Sequence, residues 1–175
     1  MAQVELEKHK PLKLSPIEVA ELLDKTNWAN DFQWEEMTKL GGYFTPYQIA
    51  KGAVIFYEGA RADYMGLIIS GKIRISKTTS DRSVKPLVVL TPSQTFGEQS
   101  LLDGEPRSGL AEAIEPATFV ITNRRQLFRM AEDEPELAFK VLWRISRTIS
   151  QRLRHTSYRL LDASSGQVAD LQAKR

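Results

Sequence analysis

Within the stretch FGEQSLLDGEPRSGLAEA, residues 96–113, stand the groups of this chain best suited to holding a small anion that carries a sugar. Gly97 lets the backbone approach a ligand closely, and residues 98–102 have the length of one helical turn whose free N–H groups attract negative charge. Gln99 and Ser100 lie inside that turn. Arg107 supplies a planar fork of parallel donors for phosphate oxygens, each charge-assisted bond contributing about 1.5–3 kcal/mol net, and lysine would not reproduce the fork. Glu98 would repel a phosphate, so it must face another part of the ligand. A pair of sugar hydroxyls would satisfy it, as a carboxylate does for a ribose 2′-hydroxyl in other nucleotide sites. Ser108 adds a hydroxyl for the phosphate or a base edge. Taken alone, Glu98 and Arg107 read as a surface ion pair worth less than about 1 kcal/mol. Their glycine-punctuated setting favours a site instead.

Several other chemistries are excluded. The chain has no cysteine, which removes disulfides, thiolate metal sites and thiol redox chemistry. Its two histidines, His9 and His155, lie at opposite ends and form no zinc or transition-metal spacing, so no metal site and no catalytic residue is assigned. His155 reads as a surface or dimer-seam residue, and Trp28, Trp34 and Trp143 read as packing. Twenty-four Lys and Arg against 22 Asp and Glu leave a net charge of +2, too small to steer the whole molecule onto nucleic acid or an anionic membrane. The start MAQVELEKHK lacks a signal peptide's apolar core, and no apolar run approaches the ~18 residues that span a bilayer. A cytoplasmic protein without membrane contact is expected.

At 175 residues, 42% hydrophobic and 26% charged, the chain suits one globular domain with some terminal helix. Residues 1–14 read as a flexible tether and 15–42 as N-terminal helices. The first helix starts at SPIE, where Ser15 caps, Pro16 takes the first helical position and Glu18 the third. A second is expected over 30–40, capped by Asn30 with Gln33, faced by Phe32, Trp34 and Met37, and stopped by Gly41 and Gly42.

Residues 43–122 change grammar. Short β-branched and aromatic runs at 53–57, 64–70, 72–76, 86–90 and 117–122, with turn residues Gly52, Gly59 and Gly71, predict an antiparallel sandwich or barrel rather than a βαβ sheet. Pro86 is expected to open its strand. Between two such runs a tight hairpin is the usual connection, so the long excursion at 96–113, with its buried-looking pair Leu101 and Leu102, is expected to be functional.

Residues 123–162 return to helix. Asn123 with Gln126 caps a short one bearing Leu127, Phe128 and Met130, and Pro135 starts a long one. Its stripe of Leu137, Val141, Leu142, Ile145, Ile149 and Leu153 recurs at spacings of three and four over about 27 residues, or about 40 Å. That outreaches a small barrel. The excess predicts a homodimer through this helix; the alternative is that the N-terminal helices cover the stripe within one chain. Lys140, Arg144, Arg147, Arg152, Arg154 and Arg159 read as a solvated face, because no stacking or groove-reading motif accompanies them. Residues 163–175 read as a flexible, fraying tail.

The stretch 96–113 resembles the phosphate-binding cassette of the cyclic nucleotide-binding domains found in catabolite activator proteins, kinase regulatory subunits and nucleotide-gated channels. It is similar to a full-length, ungapped F-G-E-x-x-L to P-R-[SAT] pattern, and KGAVIFYEGARADYMGLIISGKIRIS resembles the family's first strands. The resemblance covers about residues 28–160. It implies an α+β, mainly β fold: an antiparallel jelly-roll barrel flanked by N-terminal helices and a long C-terminal helix. It implies that backbone amides around Gly97, Gln99 and Ser100, with Arg107, hold a cyclic phosphate, and that Glu98 takes the ribose 2′-hydroxyl. Ser108, at a position where cAMP-binding members often have alanine or serine, tilts the ligand to cAMP over cGMP. No cofactor is implied.

For the base, RLRHTS resembles a Thr-Ser pair on the long helix and nominates Thr156 and Ser157; registering the helices on Pro135 gives Arg152 and Leu153 instead. Val88 is implied as a wall for the base. Ser93 departs from the family's usual glycine in the turn before the cassette. About a dozen residues follow Leu161, without the helix-turn-helix domain of the activators. Direct DNA binding is therefore not expected, and the output is an unidentified effector protein. Two other functions stay open: a ligand-free dimerisation or docking module, and a cupin-type enzyme, which the absence of barrel histidines disfavours.

Overall fold

The computed structural model describes residues 9–172, of which 162–172 as helical backbone. The capping logic at Ser15 is realised: Glu18 N donates to Ser15 Oγ (3.3 Å) and Ser15 N donates to Glu18 Oε2 (2.7 Å), opening α1 (Pro16–Asp24). The second expected helix divides. Asn27–Asp31 is a 3₁₀ turn, Phe32 is extended, and α2 is Trp34–Leu40, with Gln33 N donating to Glu36 Oε2 (2.9 Å). The cap is thus Gln33 with Glu36, not Asn30 with Gln33. Trp28 dictates the break, because its buried ring stacks on Phe32 at 5.2 Å and meets Phe44 edge-on at 6.0 Å, which pulls Phe32 out of helical register. Trp34, expected to pack, is 48% exposed.

Eight strands follow: β1 (Thr45–Ile49), β2 (Val54–Phe56), β3 (Tyr64–Ser70), β4 (Ile73–Thr78), β5 (Val84–Leu90), β6 (Thr95–Phe96), β7 (Leu110–Ala113) and β8 (Ala117–Asn123). They form two antiparallel four-stranded sheets, ordered β1-β8-β3-β6 and β2-β7-β4-β5, which is the expected mainly β jelly-roll. Ile55, Ile68, Ile73, Phe96, Ala111, Ala113 and Phe119 fill the space between them. Gly52, Gly59 and Gly71 turn the chain at positive φ, as their positions predict.

Three expectations are corrected. Pro86 does not open its strand: β5 starts at Val84, and Pro86 is tolerated because β5 is an edge strand with its register broken between Ile75 and Ser76 of β4. The excursion is shorter than 96–113, since its last four residues are β7, paired on both sides. Of the expected leucine pair only Leu101 is buried; Leu102 is 41% exposed.

The tether 1–14 is described from residue 9 on, and residues 1–8 lie outside the described residues. Its described part is pinned rather than loose: Pro11 bridges Tyr47, and Leu12 N donates to the Pro46 carbonyl at 2.8 Å. The free edge of β1 offers that carbonyl.

Asn123 Oδ1 accepts from Gln126 N (2.9 Å) and starts α4 (Arg124–Asp133), in which Met130 is buried while Phe128 is 65% exposed. The last helix, α5 (Pro135–Gln172), continues through most of the stretch read as a fraying tail. Its backbone hydrogen bonding simply propagates, because no proline interrupts it; residues 173–175 lie outside the described residues.

The chain divides into two units, Met1–Ala138 and Phe139–Arg175. The second takes in α5 from Phe139 on. On it Phe139 and Trp143, one turn apart, stack with ring centroids 6.2 Å apart. Both are 65% exposed and Leu160 similarly so; of the expected stripe, Leu137, Val141 and Ile145 are buried, Ile149 is half-buried, and Leu142 and Leu153 are exposed.

Candidate anion-binding site

The site begins where β6 ends. Gly97 takes a left-handed conformation (φ 74°) and launches α3 (Glu98–Asp103), which Gly104 ends at φ 78°. The chain then returns through Pro106 to Arg107, whose backbone forms a two-bond clasp with the β2–β3 connection. Gly59 N donates to Arg107 O (2.8 Å) and Arg107 N donates to Ala60 O (2.9 Å).

Arg107 is 2% exposed, and its guanidinium is built into the core. Nη1 donates to Gly97 O at 2.8 Å and Nη2 to Tyr64 O at 2.7 Å. The rings of Phe56 and Tyr64 each lie 4.3 Å from its central carbon, so the cation is held by aromatic groups continuous with the barrel core. A β-carbon at Gly97 would collide with Nη1, so this glycine serves both the turn and the arginine. Burial pushes the guanidinium below its ordinary pKa, against the raising effects of Tyr64, Glu98 and Asp63. Arginine keeps its charge regardless. Its Nε is buried and has no hydrogen-bond partner among the described residues. A buried cation with an unused donor is costly, and an anion that accepts from it removes the cost.

The sequence-predicted residues fall into three groups. Gly97, Glu98, Gln99, Ser100, Arg107 and Ser108 come together: Glu98 and Ser100 are buried, while Gln99 and Ser108 are exposed and touch, Ser108 Oγ donating to Gln99 Oε1 at 3.5 Å. Val88 stands on β5 opposite Ile75, one pair from the buried Ile73 and Leu90 along the same face. It is nevertheless 44% exposed, so the inner face of this sheet is open there. Thr156 and Ser157 lie on α5 in the second unit, exposed, with Ser157 Oγ donating to the Leu153 carbonyl at 3.0 Å.

Sequence reasoning missed three members. Phe56 and Tyr64 read only as strand residues. Arg124, the first residue of α4, holds the far end of α3: Nε and Nη2 donate to Leu101 O at 3.0 and 2.9 Å, and Nη2 to Ser100 O at 3.2 Å. One signal was available, since an arginine at a helix N-terminus opposes the helix dipole and implies another partner. Two arginines thus bracket the cassette helix through its carbonyls. Among the described residues no group of three His, Asp or Glu is placed to hold a metal ion, and no helix is long and apolar enough to cross a membrane.

Comparison with known proteins agrees with this geometry. Residues 47–134 match the family model for a cyclic nucleotide-binding domain. The chain is 33% identical over 117 residues to a CRP-like cAMP-activated global transcriptional regulator of Mycobacterium tuberculosis, covering 67% of this chain and 50% of that one. It is 29% identical over 126 residues to the cyclic AMP receptor protein of Thermus thermophilus, covering 72% and 56% respectively. The chain therefore spans about half the length of the curated relatives it matches. Among solved structures, a cyclic nucleotide-binding domain from Methylobacillus flagellatus superposes with a TM-score of 0.80 at 26% identity, over 92% of both chains.

Proposed function

Because the chain belongs to the cyclic nucleotide-binding domain family, we propose that it is a non-enzymatic sensor module for cAMP, acting in the cytoplasm. Arg107 and the backbone amides of Gly97, Gln99 and Ser100 hold the cyclic phosphate, Glu98 takes the ribose 2′-hydroxyl, and Ser108 stands beside them. Val88 walls the base. The observation that carries this reading is the guanidinium buried between Phe56 and Tyr64 with its Nε unused. Both bacterial relatives are named for cyclic AMP, which supports cAMP over cGMP.

Binding shifts a conformational equilibrium only through contacts that differ between its states. A phosphate that draws on Arg107 acts on Gly97 O, the first carbonyl of α3, and α3 is tied at its other end to Arg124 of α4. α4 therefore carries the displacement toward α5. The stacked, exposed Phe139 and Trp143 support homodimerisation through α5, and an effector protein reads the result.

Calorimetric titration of cAMP, cGMP and 2′-deoxy-cAMP into the wild type, Arg107→Ala and Glu98→Gln tests the reading. Loss of the arginine is expected to cost about 2–5 kcal/mol of binding. Glu98→Gln costs less and narrows the preference for ribose over deoxyribose. A folded wild-type protein silent toward all three ligands overturns the proposal and leaves a docking module in its place.

A further inference from the structure

Gln99 is an exposed residue between two buried ones, Glu98 and Ser100, and Ser108 is an exposed residue next to buried Arg107. The two meet side chain to side chain at 3.5 Å, and among the described residues neither side chain makes another hydrogen bond. A contact of that length lies at the outer limit of hydrogen bonding and is weak. What it engages is donor-rich: a serine hydroxyl with one O–H and a carboxamide with two N–H groups, both free to rotate.

We propose that the Gln99 carboxamide, together with Ser108, is a specificity-determining contact for one exocyclic oxygen of the ligand's phosphate. The inference rests on the nucleotide-binding reading of the cassette and adds to it a side chain where only backbone amides were assigned. An acceptor-only oxygen that enters between the two side chains receives the Ser108 O–H and, after the amide turns over, a Gln99 N–H. One long neutral bond is then exchanged for two charge-assisted ones. Being neutral, the pair adds donors without competing with Arg107 for charge. Because it engages one exocyclic oxygen only, it distinguishes the two oxygens of a cyclic phosphate from each other.

The probes are cAMP and its two phosphorothioate diastereomers, in which sulfur, a weak acceptor, replaces one exocyclic oxygen or the other. They are titrated into the wild type, Gln99→Leu, Gln99→Glu, Ser108→Ala and Arg107→Ala, with thermal melting to confirm folding. Gln99→Leu is expected to weaken cAMP about 10- to 100-fold, the span of one charge-assisted hydrogen bond, and to change the affinity ratio of the diastereomers at least about tenfold by the same account. Gln99→Glu, which sets a carboxylate against the phosphate, weakens cAMP more than Gln99→Leu does. Ser108→Ala moves the diastereomer ratio in the same direction as Gln99→Leu. If Gln99→Leu binds all three ligands as the wild type does, while Arg107→Ala has lost them, the inference falls and the nucleotide reading stands. If the folded wild type binds none of them, both fall together.

Discussion

The cassette between Gly97 and Gly109 has only one short helix and no strand, yet Arg107 and α3 in it are held by fixed partners. The stretch of α5 from Phe139 to Leu161 is regular helix throughout, yet Phe139, Trp143, Leu153 and Leu160 face outward beside the buried Val141 and Ile145. The irregular segment is over-determined: Arg107 is held by two carbonyls and two rings, and α3 by an arginine at each end. Helical hydrogen bonds fix only the backbone of α5 and leave the destination of Phe139, Trp143 and Leu153 to something outside the helix. Order in the backbone and order in the surface are therefore separate properties here. Side chains impose order on the irregular cassette, whereas the regular chain of α5 leaves Phe139 and Trp143 exposed.

The most damaging single change to the first region is Gly97→Ala. A left-handed non-glycine residue costs about 1–2 kcal/mol, and the added methyl displaces Nη1 of Arg107. A melting temperature lowered by several degrees is expected, with cAMP affinity reduced about 100-fold or more, because an arginine moved from its place forfeits its charge-assisted bonds. If calorimetry shows ordinary affinity in a melted-down variant, the arginine is not positioned by this glycine and the over-determined picture fails.

Trp143→Glu probes the second region. A tryptophan at the centre of an interface is commonly worth 2 kcal/mol or more, so dimer dissociation is expected to strengthen about 30-fold or more. Sedimentation equilibrium reads this directly, and the variant's melting curve at low concentration should match the wild type's. A wild-type protein that sediments as a monomer at tens of micromolar would remove the dimer and leave the apolar face of α5 to another partner.

A variant between these two, Arg124→Met, loses the donors that cap α3 while leaving Arg107 untouched. Stability is expected to fall by about 1–2 kcal/mol, since the lost bonds are charge-assisted but the group is only half-buried. Affinity for cAMP falls about 10-fold or less by the same estimate. A fall in stability with no change in affinity would make Arg124 a local cap and detach α4 from the site.

The legibility of these regions in the sequence follows the same division. Strands with β-branched or aromatic runs were visible, as β3 was, and so were the caps at Ser15 and Asn123, because each is a local pattern. β7 was not, since LAEA offers no strand propensity; Ala111 and Ala113 are small because they pack in the core. β6, of two residues, carries no periodicity at all. In the cassette the residue types announced the chemistry, but the aromatic seat from Phe56 and Tyr64 and the cap from Arg124 come from elsewhere in the chain. Spacing along one segment cannot report contacts that only the tertiary fold creates.

The smallest effect expected concerns Ser93, which stands where the family usually has glycine. It adopts the glycine-like conformation (φ 71°), and its Oγ accepts from Asn27 N at 2.9 Å, tying the turn before β6 to the 3₁₀ turn of the N-terminal layer. Strain and bond oppose each other at one residue. Ser93→Ala keeps the left-handed strain and loses the bond, for a destabilisation of about 1 kcal/mol. Ser93→Gly loses the same bond but sheds the strain, at the cost of greater freedom in the unfolded chain, so about 0.5 kcal/mol or less is expected. Urea denaturation resolves the two. Cassette affinity for cAMP should be unchanged in both, because the bonds of this turn run to β3 and to the 3₁₀ turn rather than to the cassette: Ser93 N donates to Ile68 O, Ile68 N donates to Gln94 O, and Asn27 N donates to Ser93 Oγ. If Ser93→Gly were the more destabilised variant, the hydroxyl would not be offsetting backbone strain. The irregular turn would then be set by its own local sequence, and the contrast with the cassette would rest on Arg107 and Arg124 alone.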